Sequence, residues 1–136
     1  MAIASASLVS ASEPSGLYEV IDGRVVKKPA MSAFEVEVAS ILLEFLAPFL
    51  RAHRLGRAVC EMLFRIDPVR GLDRRPDLAF VSEERWSLEL SAPIDAAWDL
   101  VPDLAVEIIS PTNNAYEAQD KLREYFRPGA SLDRVK

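Results

Sequence analysis

Lone acidic residues lie within apolar stretches at three places in this chain of 136 residues. Asp77 precedes the apolar run 78–81, Glu107 lies inside the run 104–109, and Glu35 falls within an apolar helical segment. An ionised carboxylate in an apolar setting is costly unless a cation or hydrogen bonds compensate for the lost hydration. Several such acids in one small domain therefore predict a shared cation, and so a metal site.

The chemistry that such a site supports is the hydrolysis of a phosphate ester. Two carboxylates at the ends of neighbouring strands can hold a hard divalent cation such as magnesium, which polarises a phosphoryl oxygen and acidifies a bound water. A nearby lysine can orient or deprotonate that water and offset charge at the phosphate. Asp77, Glu107 and Lys121 supply these parts, and Glu35 could help to hold one ion or a second. By spacing alone the pattern is weak, because these residue types are common.

Each of these residues also has a plainer interpretation. Glu35 could make the reciprocal hydrogen bond of a helix capping box, and Lys121 could be an ordinary solvent-exposed lysine. The two strand acids could be buried ion-pair partners of Arg65 or Arg75, in which case replacing either acid would cost stability without changing metal affinity.

Composition limits the class of protein. The chain has 16 basic and 21 acidic residues, a net charge of −5, and half of its residues are hydrophobic, so one domain with a real core is expected. An acidic balance does not indicate nucleic-acid binding, but charge can be local. Two basic clusters are present, which are either solvated loop charges or phosphate contacts: Arg51, His53, Arg54 and Arg57, and Arg65, Arg70, Arg74 and Arg75.

Cysteine and histidine are too few for several alternatives. The single Cys60 excludes an internal disulfide, and with one histidine the chain cannot supply an ordinary zinc ligand set. Cys60 lies in an apolar stretch and is predicted to be a small core residue. Residues 1–15 lack Lys and Arg, so they predict a disordered lead rather than a secretory signal. No run reaches the ~18 apolar residues of a membrane span, and a cytoplasmic location is expected.

The N-terminal half predicts a β-hairpin followed by a long helix. Segments 17–21 and 24–28 are rich in β-formers and flank Asp22-Gly23, whose residues favour the positive φ of a tight hairpin turn. Ser32 can cap a helix that runs to about Ala52, with Pro48 ending or kinking it. The predicted buried face comprises Phe34, Val38, Ile41, Leu42, Phe45 and Leu46, with Glu35 pointing into it.

The C-terminal half predicts short strands and a final helix. Strands are expected at 58–66 and 77–81, a short helix could begin within 82–86, and 104–109 is typical of a strand at the centre of a sheet. Asn113 or Asn114 caps the last helix, whose apolar stripe is Ala115, Ala118, Leu122, Tyr125 and Phe126. The order of elements indicates an α+β or mixed-sheet α/β domain, in which a mixed β-sheet is flanked by helices.

Four segments of the chain also carry a family resemblance. They are Tyr18–Gly23, Arg75–Val81, Pro102–Pro111 and Asp120–Phe126, and their order and spacing together are specific. On these segments the chain resembles the Uma-type family of putative restriction endonucleases, a branch of the PD-(D/E)XK nuclease superfamily. The resemblance spans about Leu17 to Gly129.

The resemblance implies a restriction-endonuclease-like core, preceded by the N-terminal hairpin, with magnesium at the strand ends. By position, Asp77 matches the first acid of the motif and Glu107 the second. The superfamily pattern has a lysine two residues after the second acid, where this chain has Ile109. Uma-type sequences place the lysine on the following helix, which matches Lys121. Glu35 lies where related nucleases can place a helical acid.

The implied activity is a metal-dependent endonuclease that hydrolyses DNA by in-line attack of water, leaving a 5′-phosphate and a 3′-hydroxyl. Magnesium or manganese would be the cofactor, and basic segments around Arg54 and Arg74 would contact backbone phosphates. The alternative is a non-catalytic interaction or scaffold protein, or an inactive truncated remnant of a nuclease. The acidic net charge and the displaced lysine favour that alternative.

The C-terminal tail departs from the family. Family members continue past the last helix into a hydrophobic strand, whereas residues 130–136 are polar. We therefore predict that residues 16–136 form a single nuclease-like domain that lacks its final strand or strands. Loss of a strand exposes a sheet edge or apolar surface, which favours pairing with another chain and so a homodimer.

Overall fold

The computed structural model describes residues 15–111 and 115–126. The elements, in chain order, are β1 Tyr18–Ile21, β2 Arg24–Lys27, α1 Ala33–Ala52, β3 Gly56–Cys60, β4 Phe64–Asp67, β5 Leu72–Arg74, β6 Leu78–Ser82, β7 Leu104–Val106 and α2 Ala115–Phe126. The described strands form two antiparallel sheets, and an isolated parallel bridge joins Phe64 to Trp98. The architecture is α+β, as predicted.

The first sheet contains the predicted hairpin and has the strand order β2-β1-β5-β4. Asp22 (φ 51°) and Gly23 (φ 75°) both adopt positive φ, as a two-residue turn that matches strand twist requires. At the open end of the hairpin the Lys28 amide donates to the Leu17 carbonyl at 2.9 Å. This bond fixes the backbone of Lys28 just after β2.

The second sheet positions the predicted acids and has the order β3-β6-β7. β6 pairs with β3 from Leu78 opposite Cys60 to Ser82 opposite Gly56, and α1 packs on β3. Gly56 has φ 148° and lies so close to the Val81 carbonyl and the Phe80 ring that a Cβ atom would clash with both. Glycine is therefore needed where α1 turns into this sheet.

The core lies where the two sheets and α2 meet. Trp98 is its centre, stacked on Phe64 with ring centroids 5.8 Å apart and meeting Trp86 edge-on at 5.2 Å. Other fully buried side chains around it include Leu72, Val81 and Tyr125. Offset and edge-on aromatic contacts stabilise such a centre beyond the burial of their area. The core thus ties together strands that are distant in sequence.

Several predicted elements differ from the structure. The single strand expected at 58–66 is two strands in different sheets, β3 and β4, separated by a break at Glu61 (φ 52°). β5 was missed, since its three residues carry no periodic signal. Residues 82–86 form a turn rather than the start of a helix. β7 stops at Val106 and is the outermost of the described strands in its sheet, so the central position predicted for it is wrong.

Helix α1 has the predicted ends but a different buried face. The Glu35 amide donates to the Ser32 hydroxyl at 3.3 Å, which confirms the cap, and the helix continues through Pro48 to Ala52. Pro48 is exposed, so water can satisfy the carbonyl that loses its partner. Of the predicted buried residues, Val38, Leu42 and Leu46 are half-buried, whereas Phe34, Ile41 and Phe45 are exposed. The fully buried residues of the helix are Ala39 and Leu50.

Other predictions fall partly outside the described residues. These include the lead 1–15 except Ser15, both candidate cap residues of α2, and the tail beyond Phe126. Cys60 was predicted to be a core residue and is exposed, because it ends β3 at the edge of the fold. No described helix is long and apolar enough to span a membrane.

Candidate active site

Antiparallel pairing of β6 with β7 brings Asp77 and Glu107 together. Leu78 lies opposite Val106, so one step beyond the ladder places Asp77 opposite Glu107. Directly opposed residues of an antiparallel pair project to the same face with Cβ atoms about 4.5–5.5 Å apart. The Ile108 amide donates to Asp77 Oδ2 at 2.7 Å, which holds the segment after Glu107 against Asp77. The two acids therefore lie side by side at neighbouring strand ends, as the sequence predicted.

Asp77 is buried, with 4% of its surface exposed, and a donor meets each of its carboxylate oxygens. Oδ2 accepts from the Ile108 amide, and Oδ1 accepts from Lys28 Nζ at 3.1 Å. Lys28 Nζ also donates to the Arg75 carbonyl at 2.6 Å. The interpretation of Asp77 as a partner of Arg65 or Arg75 is therefore wrong, because the cation beside it is Lys28.

Glu107 is the least satisfied member of the site. Its Oε1 is buried and has no hydrogen-bond partner among the described residues. Burial, followed by the negative charge of Asp77, raises the pKa of Glu107 from 4.5 to about 7, although Lys121 and Lys28 counteract the rise. The hydroxyl of Tyr125 is also buried and has no hydrogen-bond partner within residues 15–111 and 115–126, and burial and the charge of Glu107 raise its pKa well above 10.

A second cluster of charges adjoins the pair and centres on Glu19 of β1. Glu19 is buried, and Oε2 accepts from Arg74 Nη1 at 3.0 Å while Oε1 accepts from the Arg75 amide at 3.0 Å. Arg74 also binds Glu124 of α2, with Nε to Oε2 at 2.7 Å. We call Glu19, Arg74 and Glu124 the arginine network. It anchors α2 to the first sheet.

Lys121 connects the arginine network to the acid pair. Its Nζ lies 3.5 Å from Glu19 Oε2, and its side chain is 26% exposed, so the predicted alternative of an ordinary surface lysine does not describe it. Its charge lowers the pKa of Glu107. One turn of α2 separates Lys121 from Tyr125, and the burial of Tyr125 fixes the face of the helix that meets the site.

Glu35 lies half-buried in the first turn of α1, where its amide donates to the Ser32 hydroxyl of the N-cap, and the helix packs on β3. The hydrogen bonds and ion pairs that define the site run between β1, the end of β2, β6, β7 and α2. A role for Glu35 in holding an ion stays a prediction.

The second basic cluster is not a free cationic surface. Arg74 belongs to the arginine network, and Arg75 donates to the carbonyls of Tyr18 and Glu61. Arg65 lies 3.7 Å from Asp73, and Arg70 lies 3.2 Å from Asp22. The phosphate contact expected around Arg74 is therefore wrong for Arg74 itself, whose side chain is buried against two carboxylates.

The first basic cluster is more accessible. Arg51, His53 and Arg54 are exposed at the end of α1, and Arg54 makes a surface ion pair with Glu89 at 3.6 Å. Arg57 differs from these, since it donates to the carbonyls of Ser87 and Leu90. Arg51 and Arg54 therefore present cationic groups to solvent, and the exposed His53 lies beside them.

The acid pair fits a small hard cation. Among the described residues no three acidic, histidine or cysteine side chains surround a common point, so an ion would depend on two carboxylates. Magnesium is commonly held by one or two carboxylates and completes its shell with water and substrate phosphate. The unpartnered Oε1 of Glu107 beside Asp77 is a ligand of the required type.

Sequence reasoning missed Glu19 and Lys28 as members of the site. Glu19 is a lone acid inside the apolar strand β1, the same signal that singled out the other acids. Lys28 carries no such signal, because it is a lysine that follows another lysine just after β2, a strand whose four residues are all exposed. Only the approach of the hairpin to β6 brings it to Asp77.

The fold and the charged site together define a nuclease-like α+β domain. The chain belongs to the Uma2 family, described as "Putative restriction endonuclease", whose model matches residues 6–132. This confirms the resemblance inferred from the sequence. No curated protein sequence matches the chain.

A solved structure supports the fold. The chain is similar to a protein from Anabaena variabilis described as "a putative nuclease belonging to DUF820", with a TM-score of 0.69 and 19% sequence identity. The similarity covers 85% of this chain and 63% of that protein, so this chain spans less than two thirds of its length. At this identity the likeness shows the fold alone.

Proposed function

We propose that the chain is a metal-dependent endonuclease that hydrolyses phosphodiester bonds of DNA in the cytoplasm. Membership of the Uma2 family supports the nuclease class. The observation that carries the metal-dependent chemistry is the buried, unpartnered Oε1 of Glu107 beside Asp77. Two adjacent carboxylates are an unstable arrangement at neutral pH unless a cation or a proton joins them.

The roles of the residues follow from their positions. Asp77 and Glu107 would hold magnesium or manganese, and a bound ion would stabilise charge on the phosphate and acidify a water molecule. Lys121 would orient that water and offset charge at the phosphate, because its ammonium lies 3.5 Å from Glu19 Oε2 and its charge acts on Glu107. Glu35 is retained as an assisting acid on the resemblance alone. In-line attack would leave a 5′-phosphate and a 3′-hydroxyl.

DNA contacts are proposed for the exposed cations at the end of α1. Arg51 and Arg54 are exposed, and the pair between Arg54 and Glu89 is accessible to solvent on both sides. Surface ion pairs are weak, so a backbone phosphate can replace Glu89 as the partner of Arg54. Such contacts position DNA without reading its sequence.

A plasmid-cleavage assay with magnesium or manganese tests the proposal. Asp77→Asn and Glu107→Gln keep the size of each side chain and remove its charge, and each is expected to abolish cleavage. Glu37→Gln on the exposed face of α1 is the matched control and should cleave like the unchanged protein. Cleavage by both site variants at the unchanged rate would contradict the proposal, as would a folded protein that shows no metal binding by calorimetry.

The alternative is a non-catalytic interaction protein or inactive nuclease. The observation that favours it is that both oxygens of Asp77 already accept from protein donors, Lys28 and the Ile108 amide. The same assay separates the two proposals. An interaction protein would show no cleavage, and Asp77→Asn would reduce its stability without changing any response to magnesium.

A homodimer through α1 is also proposed. The apolar stripe Phe34, Ile41, Phe45 and Phe49 leaves four large apolar side chains in contact with water, and Phe45 is 77% exposed; contiguous exposed apolar residues often mark an interaction surface. With Val38, the successive spacings along the stripe are four, three, four and four residues, which keep these side chains on one face of the helix, where a second copy can pack.

Light scattering after size-exclusion chromatography tests this dimer. Phe45→Ser is expected to shift the molar mass from dimer to monomer, because it removes the most exposed aromatic ring of the stripe. Val69→Ser is the control, since Val69 is 98% exposed on a different surface. A monomer before any substitution, at concentrations of tens of micromolar, would overturn the proposed interface.

A further inference from the structure

Resting on the proposed function, we infer that Lys28 is a built-in counter-ion that occupies Asp77 in the metal-free protein and competes with the divalent ion. Lys28 thereby sets how tightly the site binds metal. The inference concerns a residue outside the catalytic pattern suggested by the sequence, where the lysine role belongs to Lys121.

The contact is a buried ion pair held at both ends. Lys28 Nζ lies 3.1 Å from Asp77 Oδ1, and the two side chains are only 8% and 6% exposed. The ammonium also donates to the Arg75 carbonyl at 2.6 Å, and the backbone of Lys28 is fixed to Leu17. Arg75 and Asp77 belong to the short segment between β5 and β6, and the side chain of Lys28 is itself buried, so the ammonium is placed at Asp77 by the fold and not by chance rotation of a surface side chain.

Lys121, the other lysine near the acid pair, has a different location. Lys28 neighbours Asp77, the first acid, whereas Lys121 neighbours Glu19 at 3.5 Å and is more exposed. The charges of both lysines lower the pKa of Glu107, so both act on the same acid pair. The contact of Lys28 is nevertheless to an oxygen that a metal ion would use, and the contact of Lys121 is not.

Electrostatics predicts that Lys28 has opposite effects on the stability of the metal-free protein and on the affinity for metal. Without metal, two adjacent carboxylates repel each other, and the ammonium of Lys28 offsets that repulsion. With metal, the ammonium and a doubly charged ion repel each other at the same carboxylate in a poorly hydrated setting. Lys28 therefore stabilises the metal-free protein and weakens metal binding. A residue that only organises the site would affect both properties in the same direction.

The test compares Lys28→Met with Lys27→Met. Lys27 is the adjacent residue, is exposed, and belongs to β2, so its replacement changes the net charge equally without touching Asp77. Binding of manganese alone is measured by calorimetry, and melting temperature is measured without metal. Lys28→Met is expected to melt lower than the unchanged protein and to bind manganese on the order of tenfold more tightly or better. Lys27→Met should leave both nearly unchanged.

A second variant keeps the inference testable if Lys28→Met does not fold. Lys28→Gln keeps a donor for the Arg75 carbonyl and removes the charge, so it is expected to bind manganese more tightly than the unchanged protein. Its melting temperature should lie between those of the unchanged protein and Lys28→Met. Equal affinity in the unchanged protein and both Lys28 variants would overturn the inference and leave the proposed function intact. Weaker binding in the folded variants would also overturn it. Absence of manganese binding in every folded protein would instead refute the proposed function.

Discussion

Two adjacent groups of charged residues differ in how completely they are paired. In the arginine network, Arg74 lies between Glu19 and Glu124 and donates to both carboxylates. In the acid pair, Asp77 is paired with Lys28, whereas Oε1 of Glu107 is buried with no hydrogen-bond partner in the described part of the chain. The two groups are buried to a similar extent, so they differ in whether each buried charged atom has a hydrogen-bond or ion-pair partner.

The comparison separates charged residues that stabilise the fold from charged residues that could bind an ion. A buried ion whose partners are all present is stable without any ligand, and the arginine network has the form of a structural clamp between β1, β5 and α2. A buried carboxylate that lacks a partner raises the energy of the empty protein and is relieved when a cation arrives. The contrast favours Glu107 over Glu19 as an ion-binding residue, although both are lone acids in apolar segments of the sequence.

The largest effect is expected for Arg74→Met. This change leaves Glu19 and Glu124 without their main partner and should lower the free energy of unfolding by about 3–5 kcal/mol. Arg70→Met is the control, since Arg70 is more exposed and also contacts Glu124; it should cost less than about 1 kcal/mol. Urea denaturation measures both. Equal losses would show that the network is no more structural than a surface pair.

Lys121→Met is expected to affect activity more than stability. If Lys121 assists the attacking water, cleavage should fall about 10²-fold or more, whereas a partly exposed lysine should cost little in unfolding free energy. Arg123→Met is the matched control, because Arg123 lies on the same helix, is exposed and pairs only with Asp120 in the described contacts. A cleavage rate that is the same for both variants would remove Lys121 from the mechanism.

Glu107 should make the stability of the metal-free protein depend on pH. Folding raises its pKa from 4.5 to about 7, so the folded protein keeps a proton that the unfolded chain loses. The contribution of Glu107 to the free energy of unfolding is full below about pH 4.5 and is lost as pH rises to about 7. The slope is at most about 1.4 kcal/mol per pH unit. Glu107→Gln should remove this slope, and Glu37→Gln should retain it, in denaturant titrations across that range.

The smallest effect is expected for Arg54→Ala. Loss of its exposed pair with Glu89 should change the unfolding free energy by about 0–1 kcal/mol. If Arg54 contacts one phosphate, the dependence of log affinity on log salt concentration should become shallower by about 0.9 for duplex DNA. Fluorescence anisotropy at several salt concentrations measures this slope. An unchanged slope would place the DNA elsewhere on the surface.

Local signals in the sequence predicted much of the fold. The turn Asp22-Gly23 and the cap at Ser32 are formed within a few residues, so their chemistry is visible without the rest of the chain. The face of α1 was predicted wrongly, because an apolar stripe at Phe34 and Phe45 is not distinguished by periodicity from one that packs on β3. The strand at 58–66 was likewise not divided, since the break at Glu61 depends on which sheet each half joins.

The sequence by itself determined the four family segments, the hairpin, the ends of α1 and the identity of the two acids at the ends of β6 and β7. These features follow from residue type and short-range spacing. Only the tertiary structure decided that Lys28 meets Asp77, that Glu19 is clamped by Arg74, and that Oε1 of Glu107 is buried with no hydrogen bond from the described residues. Pairing energies in a poorly hydrated interior depend on distances between elements far apart in the chain, and no local pattern contains those distances.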